Sequence, residues 1–153
     1  SQISEIDFEL MGNSMDQQLI DADGGLTLDE NNEASVDVDF DVENTGTCDI
    51  YIRVAILPLI LDKENSQIVY KLNKSSCEIQ YCNENNSSVL DDEYWEKSSD
   101  GYYYYKKVLK QGQGLENGLI SKVKFKPNNS EAVDFCDKKV QIAVKVESRQ
   151  NEF

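Results

Sequence analysis

The 153-residue chain has no histidine, only two prolines and a single tryptophan, and none of its four cysteines is spaced as a CxxC pair. Without histidine, serine and cysteine nucleophiles lose their usual base, and the HExxH signature of zinc peptidases is excluded. A structural zinc site would need all four thiolates, Cys48, Cys77, Cys82 and Cys136, from scattered positions. Basic residues are also scarce: 15 stand against 29 acids, for a formal net charge of -14. A field of that sign repels nucleic acid and anionic membrane surfaces. The longest apolar stretch, 54–61, is strand-sized and carries Pro58, well short of the roughly 18 residues of a spanning helix. No signal peptide opens the chain, which begins at Ser1 without a methionine, as a processed chain does.

Hydrophobic residues make up 39% of the chain, enough for one globular domain, 1–153, burying roughly 70% of its unfolded surface. The pattern of those residues is that of strands. Across 34–42, Val36, Val38, Phe40 and Val42 alternate with Ser35, Asp37, Asp39 and Asp41, which predicts one strand with a dry face and an acidic face. After the turn Asn44-Thr45-Gly46, segment 50–60 is apolar on nearly both faces, as a strand inside a sheet is. Further strands are expected at 3–11, where Ile6, Phe8 and Leu10 alternate with Asp7 and Glu9, and at 119–125 and 140–146. Two short ones, 67–72 and 78–82, suggest a hairpin decorating the sandwich over 73–90. Asp100-Gly101, between Trp95 and the run Tyr102 to Tyr105, signals a hairpin. No helical periodicity of convincing length occurs, and the expected class is an all-β antiparallel β-sandwich.

Several motifs have two readings. Asp21, Asp23 and Asp29 in DADGGLTLDE resemble a calcium loop, but Leu26 occupies the glycine position and Asn32 the final glutamate position, so a plain acidic turn is the better reading. The cysteines fit two disulfides, Cys77 with Cys82 and Cys48 with Cys136, or buried free thiols. Four successive tyrosines place two rings on each face of a strand, which suits either a sugar-stacking platform with Trp95 or simply a twisted, half-exposed sheet. Arg53, in a central strand, suits a local ion pair better than a ligand. The sequons at Asn73, Asn85, Asn86 and Asn128 are expected by chance in an Asn-rich chain. The GQG of 112–114 lacks the strand-to-helix setting of a dinucleotide loop. Asp37, Asp39 and Asp41 fan outward along one strand, where carboxylates do not converge as a glycosidase pair must. No enzyme activity, cofactor or resident metal is expected.

The run VDVDFDVENTGTCDIYIRVAI, followed by Trp95, DGYYYYKKVL, KQGQ with Gly118-Leu119-Ile120, and IAVKVESRQ, resembles the TasA/camelysin-like proteins of Gram-positive bacteria. The BsaA-type matrix proteins, exported through a SipW-type signal peptidase, are the most similar, and the resemblance covers about residues 34–57 and 94–150. The four cysteines and the 73–90 segment depart from the family pattern. The resemblance implies a jelly-roll-like sandwich, secreted to the matrix or cell surface, that polymerises head to tail into fibres with itself or with other matrix subunits. It also implies that residues 1–11 donate a strand to the next subunit, with Ile6, Phe8 and Leu10 as its plugs. The alternatives are a carbohydrate- or calcium-binding adhesin domain and a minor pilin-like subunit.

Overall fold

A computed structural model describes residues 9–12, 17–18, 30–31, 33–62, 64, 68–71, 76–85, 87–126 and 138–153. Their regular structure is entirely β: β1 (Glu9–Gly12), β2 (Gln17–Gln18), β3 (Ala34–Asp37), β4 (Phe40–Glu43), β5 (Tyr51–Asp62), β6 (Ile68–Lys71), β7 (Cys77–Tyr81), β8 (Trp95–Lys97), β9 (Tyr103–Tyr105), β10 (Ile120–Phe125) and β11 (Lys138–Arg149). All pairings are antiparallel. The larger sheet runs β2-β11-β5-β9-β8, with β6 also on β5; a second runs β3-β10-β7, and β1 pairs with β4 alone. No helix of the described residues is long and apolar enough to cross a membrane.

The apolar period of two at 50–56 becomes the spine of the larger sheet. All twelve residues of β5 pair with β11, from Asp62↔Lys138 to Tyr51↔Arg149. The inward set Ile50, Ile52 and Val54 is fully buried, and each such side chain contributes about 1.5–3 kcal/mol by leaving water. Proline weakens a central strand because it brings no N–H. Pro58 falls between the β5 ladders to β9 (Arg53, Val54) and to β6 (Leu59 to Leu61), where the strand partner is on the β11 side.

Ile142 and Val144 of β11, Trp95 of β8 and Tyr103 and Tyr105 of β9 face Ile120, Val123 and Phe125 of β10, Tyr81 of β7, and Phe40 and Val42 of β4 across one core. Two antiparallel sheets that share an apolar interior make a β-sandwich, the class expected from the alternation.

The expected continuous strand over 34–42 is in fact two strands. Its dry and wet faces hold, with Val38, Phe40 and Val42 buried and Asp37 and Asp39 exposed, but its partners change midway. β3 pairs with β10 and β4 with β1, and at the junction Val38 N–H donates to Ser121 O at 2.9 Å. An alternating pattern reports which face is dry and carries no information on which strand lies alongside.

The 73–90 hairpin is corrected as well. β6 pairs with β5 in the larger sheet, whereas β7 pairs with β10 in the other. β7 is therefore an edge of the sandwich itself, and Tyr81, 9% exposed, belongs to the core.

Candidate functional site

On the outer face of the larger sheet, Glu147 of β11, Arg53 of β5, Tyr104 of β9 and Glu96 of β8 stand opposite one another across four strands. Arg53 donates from Nε and Nη2 to Glu147 Oε2, at 2.9 and 2.6 Å, and from Nη1 to the Tyr104 hydroxyl at 3.1 Å. Its guanidinium carbon lies 4.2 Å from the centre of the Tyr102 ring and 4.8 Å from that of Phe153. The Tyr102 hydroxyl donates to Glu147 Oε1 at 3.1 Å, Lys145 Nζ pairs with the same oxygen at 3.0 Å, and the Tyr104 hydroxyl donates to Asp100. This is a stacked, ion-paired cation, as an arginine in a central strand favours. Three of its five N–H groups are engaged by Glu147 and Tyr104, and it joins β11, β5 and β9.

Lys145, Arg53 and Tyr102 hold the Glu147 carboxyl down to about 2, from an ordinary 4.5. The Tyr104 hydroxyl, the Tyr102 N–H and Arg53 lower that of Asp100. A carboxylate with a depressed folded pKa contributes stability that is complete above its unfolded pKa and lost as the pH falls through the folded one. For Glu147 that window runs from about 4.5 down to about 2. Glu147→Gln is expected to flatten the loss of stability across this window, measured as the urea midpoint against pH. An acid limb parallel to that of the unaltered protein would disprove the linkage.

The residues expected from sequence are dispersed. Leu10 lies in β1, in register with Val42 of β4, whereas Ile6 and Phe8 lie outside the described residues. The possible calcium loop with Asp21, Asp23 and Asp29 also lies outside them, as does Cys136. Cys77 and Cys82 carry free thiols, and the bridge expected between them does not form. Cys77 opens β7 and Cys82 follows its last residue, so an extended strand holds their Cα atoms about 16 Å apart, against at most about 7 Å for a disulfide. Burial, and then Glu78, push the Cys77 thiol up to about 12, so it stays protonated at neutral pH. Cys48 packs against the core and accepts a hydrogen bond from Gln150 Nε2 at 3.2 Å.

The tyrosine run splits between faces as its period requires: Tyr103 and Tyr105 point into the core, and Tyr102 and Tyr104 lie on the outer face. Trp95 is 1% exposed, stacks on Tyr105 at 4.9 Å and donates from Nε1 to Asn117 O. A buried tryptophan cannot stack on a sugar, which removes it from the aromatic platform.

Three polar anchors were not legible as such. Asn44 is fully buried. Its amide donates to Cys48 O and Leu109 O, and its Oδ1 accepts from Gly46 N–H. Its backbone also exchanges hydrogen bonds with Gln113 and Gly112. Asp41 is not simply a solvated acid: its Oδ1 accepts from Leu115 N–H at 2.9 Å, and a Cβ on Gly114 would stand 2.8 Å from Oδ2. Asn117 accepts from Leu119 N–H and donates to Cys82 O, and Leu119 holds φ 64, a costly backbone for a branched residue. The only sequence signal for these anchors is an Asn or Asp beside a turn.

The candidate association site is the β1–β4 ladder, Glu9↔Glu43 to Gly12↔Phe40, because β1 has no place in either larger sheet. In comparisons with known proteins, no family model, no curated protein and no solved structure matches the chain.

Proposed function

We propose that the chain is a structural subunit of a secreted fibre or biofilm matrix, joined head to tail to copies of itself through residues 1–11 and acting by association rather than catalysis. The observation that carries this reading is the attachment of β1: four residues, one ladder, and β4 as its partner. Pairing with the β4 of another copy would reuse the same hydrogen bonds and the same register, so exchange replaces contacts without losing them. The alternation of Ile6, Phe8 and Leu10 with Asp7 and Glu9 supplies a dry face to cover the acceptor and a wet face for solvent. The resemblance to TasA/camelysin-like proteins points to the same use of the segment. A contact in which donor and acceptor surfaces differ is heterologous, and it propagates into a filament when its rotation does not close.

Deleting residues 1–11 tests the proposal. Electron microscopy and light scattering of concentrated protein are expected to show filaments that disappear with the deletion, while circular dichroism of the shortened chain stays β-rich. Filaments of normal length from the shortened chain would end the strand-exchange account.

A further inference from the structure

Between the edge strand β7 and the β8–β9 hairpin, the flank of the sandwich holds an open cleft of about 400 Å³, with Ile79, Tyr81, Lys97, Tyr103, Glu78 and Lys126 in its lining. The two tyrosines meet hydroxyl to hydroxyl at 2.6 Å and are 9% and 2% exposed. Burial raises both above the ordinary tyrosine range, so both keep their protons at neutral pH. Two neutral hydroxyls bring two hydrogens, and their mutual contact uses one. The remaining hydrogen has no acceptor among the described residues, a condition that folded proteins seldom leave without a partner molecule.

The cleft also holds an uncommitted cation. Lys97 stands opposite Tyr103 in the β8–β9 ladder, its Nζ 5.3 Å from the centre of that ring, and it forms no ion pair among the described residues. Lys126, by contrast, is held by Glu78 at 3.2 Å and Glu33 at 3.7 Å. In a chain with 29 acids and 15 bases, a lysine with no carboxylate among the described residues, beside a buried O–H with no acceptor among them, marks a place for one negative oxygen pair. The backbone supplies the orientation. Among the described residues β7 has a strand on its β10 side alone, and the Tyr81 N–H is covered by Ser87 O at 2.8 Å. The rest of that edge has no strand partner among the described residues and matches an added extended segment.

We propose that this cleft binds an acidic side chain carried on an extended peptide lying along β7, its carboxylate taking the unused tyrosine O–H on one oxygen and the Lys97 ammonium on the other. Glu78, on the same strand, disfavours a second acid close to the first. The site goes beyond the fibre proposal and does not depend on it.

Titration of the isotopically labelled full chain tests this. The probes are an end-blocked pentapeptide with one central glutamate between valines, and its glutamine counterpart. Saturating shifts at the amides of Ile79, Lys97 and Tyr103 are expected with the glutamate peptide, and affinity about tenfold weaker with the glutamine one. Lys97→Met should weaken the glutamate peptide while leaving the glutamine peptide unchanged, and the double variant Tyr81→Phe/Tyr103→Phe should weaken both, because either side-chain oxygen accepts the tyrosine O–H. Equal binding of the two peptides, no shift with either, or full affinity in Lys97→Met would overturn the site. Should the double variant lose its dispersed spectrum, Lys97→Met, at an exposed position, still decides.

Discussion

Trp95→Ala is expected to cost about 3–5 kcal/mol, the range for removing a large aromatic from a closed core. Against the roughly 5–15 kcal/mol that holds a domain folded, this should lower the urea midpoint by about 1–3 M. Two losses combine. The ring is 1% exposed and packs against Tyr105 at 4.9 Å, in the layer between the two sheets. Its Nε1–H also satisfies Asn117 O, and the Asn117 side chain in turn holds the Leu119 N–H and Cys82 O around the left-handed backbone at Leu119. Trp95→Phe separates the two effects: it keeps most of the packing and leaves a carbonyl unpaired, at about 1–2 kcal/mol. Because the chain has a single tryptophan, circular dichroism is the appropriate probe. A midpoint for Trp95→Ala within about 0.3 M of the unaltered protein would mean that the residue is not in the core.

Asn44→Ala is the second large effect, expected at about 2–5 kcal/mol and roughly 10 °C in Tm. The side chain occupies a dry site and makes three hydrogen bonds, two as donor to Cys48 O and Leu109 O and one as acceptor from Gly46 N–H. It thereby ties the lead-in of β5 to the 109–113 loop that its own backbone also engages. Alanine removes the side-chain partner of Cys48 O and of the buried Gly46 N–H, and leaves Leu109 O with the Ile50 N–H alone. Asn44→Asp tests whether hydrogen bonding or volume matters, because aspartate matches the shape, keeps the acceptor and replaces the donating amide with oxygen facing two carbonyl oxygens. It should be at least as damaging as alanine. An aspartate variant with unchanged Tm would show that the hydrogen-bond network is not what holds this turn.

Several elements were legible because their cause is local. Alternation at 36–42 and 50–56 marks which side is dry, and those sides are the buried ones at Val38, Phe40, Val42, Ile50, Ile52 and Val54. Asp100-Gly101 specifies a tight hairpin, and Gly101 adopts φ 88 between β8 and β9 as that turn demands. The period of two then puts Tyr103 and Tyr105 on one face and Tyr102 and Tyr104 on the other, and the tertiary structure makes the first pair the buried one. Arg53 pairs with a local acid, as its setting favoured, although nothing in the sequence indicated Glu147, 94 positions away.

What was not legible depends on contacts between distant segments. The strand break at Val38 follows from the position of Ser121, and the division of β6 and β7 between two sheets follows from β5 and β10 lying on opposite layers. The separation of Cys77 from Cys82 reflects an extended strand where proximity in sequence suggested a loop. The same holds for the candidate sites: an acid-and-hydrophobe alternation marks residues 1–11 as strand-like, but only the pairing of β1 with β4 alone makes it an exchangeable one. The sequence by itself determined the β character, the dry faces, the hairpin and the acidic exterior, because each is set by side-chain chemistry over a few neighbouring residues. The tertiary structure alone decided strand partners, the burial of Trp95 and Asn44, and the meeting of Tyr81 with Tyr103. Those arise when residues far apart in the chain are brought within hydrogen-bonding distance, and no local pattern encodes that distance.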